Sequence, residues 1–251
     1  MLSLATVAFA AMVHGTVGFA FGLLSMAVLS IYWGTQTANV VVSLLGLYSC
    51  AHALWSVRQA VRWQSVGAVL AGVGLGLPLG TLLLVSARYD HVLRALVAVA
   101  CLVVAVQNWQ ESPHVVGRRF SIGLKVLVGA LAGFLSAAIS SPGPVVIWYA
   151  YRQPGEREEL KAAGLLLFTV ATFSKLVLWV GHDCLLTGAP LFTRSRLVLA
   201  LALWPMAVLG TQSGVLLFKR VDRVLLRRLV CGLLAATGGA TLLALARAAA
   251  R

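Results

Sequence analysis

The chain has 251 residues, 60% of them hydrophobic and only 11% charged, with a mean hydropathy of +0.93. That composition excludes an ordinary soluble domain and fits a bundle of membrane helices; at about 20 apolar residues per crossing, the length allows roughly six to eight spans. Lys+Arg number 20 against 7 Asp+Glu, a formal charge of +13; because these residues punctuate the loops, they read as positive-inside topology and contact with anionic lipid, not as a nucleic-acid surface.

The first run, "MLSLATVAFAAMVHG", has no basic leader region and no polar domain follows it, which argues against a cleaved signal peptide. Apolar blocks then occupy 1–32, 35–57, 63–86, 91–109, 121–151, 160–180, 196–218 and 224–246. Six have ordinary span length. The blocks at 1–32 and 121–151 are longer, and both contain helix breakers: Gly15, Gly18 and Gly22 in the first, "SSPGP" (140–144) in the second.

The two long blocks open matching halves. Gly22 and Gly34 are spaced like Gly143 and Gly155, with an offset of 121. Gly76-x-x-x-Gly80 matches Gly210-x-x-x-Gly214, and "DHVL" from Asp90 matches "DRVL" from Asp222. The pattern predicts one membrane domain over 1–251, built from a repeat at about 1–110 and another at about 121–246, with an insertion near 181–193.

Charge counting then chooses a topology. If every block crosses once, the basic residues of alternate loops divide nine against ten. If the two broken blocks are re-entrant hairpins, the division becomes thirteen against six, as the positive-inside rule prefers. The predicted fold is therefore an all-α integral membrane protein of two inverted repeats, each a re-entrant helical hairpin plus three transmembrane helices. It is multi-pass in the inner (plasma) membrane, with both termini extracytoplasmic.

Four stretches, "HGTVGFAFG" (14–22), "RQAVRW" (58–63), "GLGLPLG" (74–80) and "SAAISSPGP" (136–144), carry a resemblance. With them the chain resembles the TauE/SafE family of membrane transport proteins over nearly its whole length. The resemblance implies efflux or uptake of sulfite and small organosulfonates such as sulfoacetate. The family's "GxGGG" run is thinned here to Gly15, Gly18 and Gly22, and serines and prolines stand in for it in the second half.

A charged residue within a span is a functional candidate by default, and Lys175 in "FTVATFSKLVLWVG" is the strongest. It either meets a bound anion or snorkels toward the 181–196 loop; Thr172, one turn earlier, shares its face. Freed backbone N–H groups at the hairpin tips would add donors, which places Ser140, Ser141, Gly143, Thr16 and Gly18 among the candidates. Gln36, Asn39, Ser43, Gly46 and Cys50 form one small or polar helix face, a surface for tight packing or for substrate, with Asn39 the first candidate contact. His14 and His52 are proton-relay or anion contacts, or satisfied core histidines, and Gln212 is similar. The glycines at 72, 74, 76 and 80 read as close helix approach. Trp33, Trp55, Trp63, Trp109 and Trp179 read as interfacial anchors. Cys50, Cys101, Cys184 and Cys231 have no metal or disulfide spacing.

The sequence has no G-x-S-x-G, no H-E-x-x-H and no paired intramembrane carboxylates, so neither an enzyme nor a cofactor or metal site is expected. The expected function is secondary transport, as an exporter, of a small organic anion such as a sulfonate, sulfoacetate or sulfite. The anion would bind near the bilayer midplane between two hairpin tips. A non-transporting membrane scaffold or assembly protein is the alternative. The expected partners are the anion and the lipid bilayer, without nucleic acid; the glycine-rich helices allow a homodimer without requiring one.

Overall fold

Each apolar run of ordinary span length forms one helix, and the two longer runs, at 1–32 and 121–151, are each broken into two. The computed structural model describes residues 2–18, 20–61, 63–109, 120–150, 152–153, 157–185, 190–217, 231–232, 234–243 and 246. Among these the regular structure is entirely helical: α1 (Leu2–Val17), α2 (Phe21–Trp33), α3 (Thr35–Val57), α4 (Trp63–Val85), α5 (Asp90–Trp109), α6 (Ile122–Ile139), α7 (Gly143–Ala150), α8 (Arg157–Leu185), α9 (Arg194–Leu217) and α10 (Leu234–Leu243). Six of them, α3, α4, α5, α6, α8 and α9, are long and apolar enough to cross a membrane. The basic residues at 62, 118, 119, 219–228, 247 and 251 that entered the charge count lie outside the described residues.

The two breaks have local causes. At the first, Gly18 (φ 87°) and Ala20 (φ 89°) adopt left-handed backbone, which an α-helix cannot continue through. At the second, Ser140 (φ 52°) closes α6, its N–H donating to Ser136 O at 3.0 Å. The carbonyl of Pro142 then accepts the first bond of α7 from Val146, and Pro144 falls in the opening turn, where no N–H is required. Helix boundaries in the two halves repeat with an offset of 122: α1 and α6 end at 17 and 139, α2 and α7 begin at 21 and 143, and α3 and α8 begin at 35 and 157. That is one residue more than the paired glycines suggest.

Glycines set which helices touch. On α4, Gly72, Gly76 and Gly80 lie against the carbonyls of Val126, Ala130 and Phe134 on α6, so closely that any Cβ would collide. On α9, Gly210 and Gly214 lie in the same way against Ala8 and Met12 of α1. Rising numbers meet rising numbers, so α4 runs parallel to α6 and α9 parallel to α1. The glycine ladder is thus used inside the chain, and Gly67 and Gly74 alone on α4 face open space.

Between these pairs, α3 and α8 pack together in the centre and run antiparallel. Asp183, near the end of α8, accepts from the N–H groups of Leu191 (2.8 Å) and Phe192 (2.7 Å). Arg196 donates to Leu191 O (2.7 Å) and to Gln36 Oε1 (2.8 Å) in the first turn of α3. The end of α8 therefore meets the start of α3.

The burial pattern suits a lipid solvent. Leu75, Leu79 and Leu82 on α4, Phe173 and Val177 on α8, and Leu201 and Leu209 on α9 point outward, while Asn39, Ser43, Ser136 and Lys175 are buried at the centre. Trp55 and Trp63 are exposed, as interfacial anchors require. Trp179 departs from that expectation: it is fully buried and donates Nε1–H to Thr81 Oγ1 at 3.1 Å.

Candidate functional site

A small cavity of about 40 Å³ lies where the two breaks face each other. The first break contributes His14, Ala20, Phe21 and Gly22; the second contributes Ser140, Ser141, Pro142 and Gly143. Val42, Ser43, Gly46 and Cys50 of α3 close one wall, and Phe168 and Thr172 of α8 close the other. Gly22 is required by proximity: a Cβ there would overlap the Ser140 carbonyl, so only a bare backbone lets the two breaks meet.

Both α2, from Phe21, and α7, from Gly143, begin at the cavity wall. The opening N–H groups of a helix lack intrahelical acceptors and carry the positive end of its dipole. No side chain caps α2. Among the described residues lining the cavity none is acidic. The arrangement presents donors and positive potential to whatever enters, which suits an anion and disfavours a cation.

Behind the serine wall stands a polar cluster that fixes it. Asn39, fully buried, donates its amide to Ala137 O and Ala138 O, both at 2.8 Å, and accepts the Ser140 hydroxyl on Oδ1. Ser43 Oγ lies 2.8 Å from Ser140 Oγ. Lys175, 1% exposed, donates to Ser136 O (2.9 Å) and Ser140 Oγ (3.0 Å), with its amine 5.0 Å from the centre of the Trp179 ring. Its helix continues to Leu185, so it lies about 15 Å from the end. The amine turns inward, away from the 181–196 loop, which removes the snorkelling reading.

The structure brings His14, Ser140, Ser141, Gly143 and Thr172 to the cavity, with Asn39 and Lys175 one layer behind Ser140. Thr16 is buried and donates to Val13 O at 2.8 Å, within its own helix. Gly18 shapes the first break beside Lys161. His52 stacks on Tyr48 with ring centroids 5.7 Å apart, and Gln212 is exposed on α9; neither lines the cavity. Sequence reasoning left Phe21, Gly22, Val42 and Phe168 out of the site. Only Gly22 carried a signal, as one of the paired glycines; an apolar lining residue looks like any core residue.

Residues 3–241 match the profile of the family described as "Sulfite exporter TauE/SafE". The "Probable sulfite/organosulfonate exporter TauE" of Cupriavidus necator is 30% identical over 159 residues, covering 62% of this chain and 62% of that relative. No solved structure matches. The chain belongs to the TauE/SafE sulfite exporter family.

Proposed function

We propose that the protein exports a small sulfur oxyanion, sulfite or a short organosulfonate, through the cavity between its two helix breaks. The observation that carries this reading is the cavity itself: two helix N-termini and a serine wall face it, with Lys175 behind Ser140. A sulfur oxyanion offers several acceptor oxygens to convergent donors. The volume also fits, because about 40 Å³ holds roughly three waters, close to the size of sulfite. Family membership and the name of the Cupriavidus relative point the same way.

Ser141 would donate to the anion, and Ser140 would do so by turning its hydroxyl from Asn39 Oδ1, with the N–H groups at Gly22 and Gly143 beside them. Lys175 would compensate its charge through the Ser140 hydroxyl or by direct contact after a rotamer change. Outward movement of an anion is favoured by an inside-negative potential, by about 2.3 kcal/mol per charge per 100 mV.

The helix directions support two inverted repeats with re-entrant breaks. With α4 and α5 each crossing once, α6 runs opposite to α3; α8 also runs opposite to α3, so α7 must return the chain to the face where α6 began. On the other side, α1 runs parallel to α9 and hence to α3, which requires α2 to return likewise. The matched offsets add to this: Gly76 and Gly210, like Gly80 and Gly214, differ by 134, and the residues they touch on α6 and α1 differ by 122. With the basic count, this topology puts both termini outside an inner membrane.

The test is sulfite efflux from liposomes carrying the purified protein, with the potential set by a potassium gradient and valinomycin. Efflux is expected to rise with interior-negative potential; no protein-dependent flux of sulfite or sulfoacetate at any potential would overturn the reading.

A further inference from the structure

Lys161 and Asn39 hold the same place in the two halves, 122 residues apart. Asn39, in the second turn of α3, donates to the carbonyls of Ala137 and Ala138 at the end of α6. Lys161, in the second turn of α8, donates to the carbonyls of Gly15 and Thr16 at the end of α1, both at 3.4 Å. Gly15 and Thr16 are themselves the 122-residue counterparts of Ala137 and Ala138. The alkyl stem of Lys161 lies on Gly18, where a Cβ would stand 3.1 Å from its Cγ; the counterpart of Gly18 is Ser140, which carries a hydroxyl there instead.

The C-terminal carbonyls of a broken helix carry the negative end of its dipole, and transporters built on broken helices use such ends to coordinate a coupling cation. Here both ends are filled by side chains of the central helices: at α6 the neutral amide of Asn39 and the amine of Lys175 on Ser136 O, at α1 the amine of Lys161. The bonds differ in kind as well. Asn39 makes two short bonds of 2.8 Å, whereas the charged Lys161 amine lies 3.4 Å from each of two carbonyls, so its hold on them is mainly electrostatic.

We propose that Lys161 is a tethered cation standing in place of a coupling ion at the first break, so that anion movement requires no Na⁺. The inference rests on the transport reading above. A positive group bound to the helix frame remains when the anion leaves, so the break never needs reloading with a free ion.

Thermal unfolding of the purified protein in sodium chloride and in N-methylglucamine chloride tests this independently of transport. Wild type is expected to melt at the same temperature in both. Lys161→Met uncovers the two carbonyls and is expected to melt several degrees lower in N-methylglucamine, with part of the loss restored by Na⁺. Lys161→Asn, which copies Asn39, is expected to melt close to wild type in both. A Na⁺-dependent rise for wild type would overturn the proposal. So would a Lys161→Met variant that loses nothing, or whose loss Na⁺ does not restore, because Lys161 would then be a plain helix cap. If Lys161→Met does not fold, the wild-type and Lys161→Asn results decide. Sulfite flux in liposomes is expected to change less than about twofold when N-methylglucamine replaces Na⁺, and a tenfold fall would also overturn it. Absence of flux in both salts would count against transport, while the melting result still decides the role of Lys161.

Discussion

The guanidinium of Arg196 lies 2.8 Å from Gln36 Oε1, joining the first turn of α9 to the first turn of α3 across 160 residues of chain. A topology in which every apolar block crosses once puts these two ends on opposite faces of the membrane. Re-entrant breaks put them together. The native Cys184 is exposed beside Asp183 on the same rim, whereas Cys50, Cys101 and Cys231 are buried. A membrane-impermeant maleimide is therefore expected to label Cys184, and Gln36→Cys in a Cys184→Ser background, from one face, and Arg58→Cys from the other. Labelling of positions 36 and 184 from opposite faces would sink the re-entrant topology.

Asn39 carries three bonds that all converge on the second break. Replacing it with alanine leaves two buried carbonyls and the Ser140 hydroxyl short of a partner, each a cost of about 1–3 kcal/mol before relaxation. Asn39→Ala is expected to destabilise by roughly 2–4 kcal/mol. Asn39→Asp, which sets a carboxylate against two carbonyl oxygens, is expected to lose more. Thermal unfolding in detergent ranks them; an aspartate variant as stable as wild type would show that these bonds do not hold the break.

The helices were legible because apolar length and breaker clusters act locally: "SSPGP" stops α6 wherever the chain runs. The site was only partly legible. Lys175 stood out because a charge in an apolar run has no ordinary explanation, and the serines because they interrupt one. Lys161 looked like another basic residue at a loop, since only the folded chain brings Gly15 and Thr16 beside it. Trp179 misled for the same reason: at the end of an apolar block, a buried hydrogen bond to Thr81 and an interfacial anchor give the same pattern.

Glycine positions that look alike in sequence are expected to respond with opposite signs. A methyl at Gly22 enters the Ser140 carbonyl, and one at Gly76 enters that of Ala130. Gly22→Ala and Gly76→Ala are expected to cost about 1–3 kcal/mol, the former also closing the cavity to substrate. Gly74 meets nothing within 4 Å, so Gly74→Ala is expected to gain up to about 1 kcal/mol from helix propensity alone. Melting temperatures of the three variants check the signs, and equal shifts would refute the close-approach argument.

Lys175 separates stability from function. A buried charge replaced by an apolar chain of similar length often leaves stability unchanged or raises it, because the desolvation cost vanishes with the charge. Lys175→Met releases Ser136 O and Ser140 Oγ, but Ser140 keeps Asn39 and Ser43 as partners. Its melting temperature is expected to stay within a few degrees of wild type. Sulfite affinity is expected to fall by about 30-fold or more, the equivalent of roughly 2 kcal/mol for a lost charge-assisted contact. Lys175→Arg retains the charge but spreads it over a planar group that must fit the same buried space, so it is expected to recover only part of the affinity. Trp179 lies close enough to Lys175 for its fluorescence to follow binding, and calorimetry supplies the constants. A Lys175→Met variant that binds sulfite as wild type does would remove the amine from the site and leave the serines and helix N-termini to hold the anion alone.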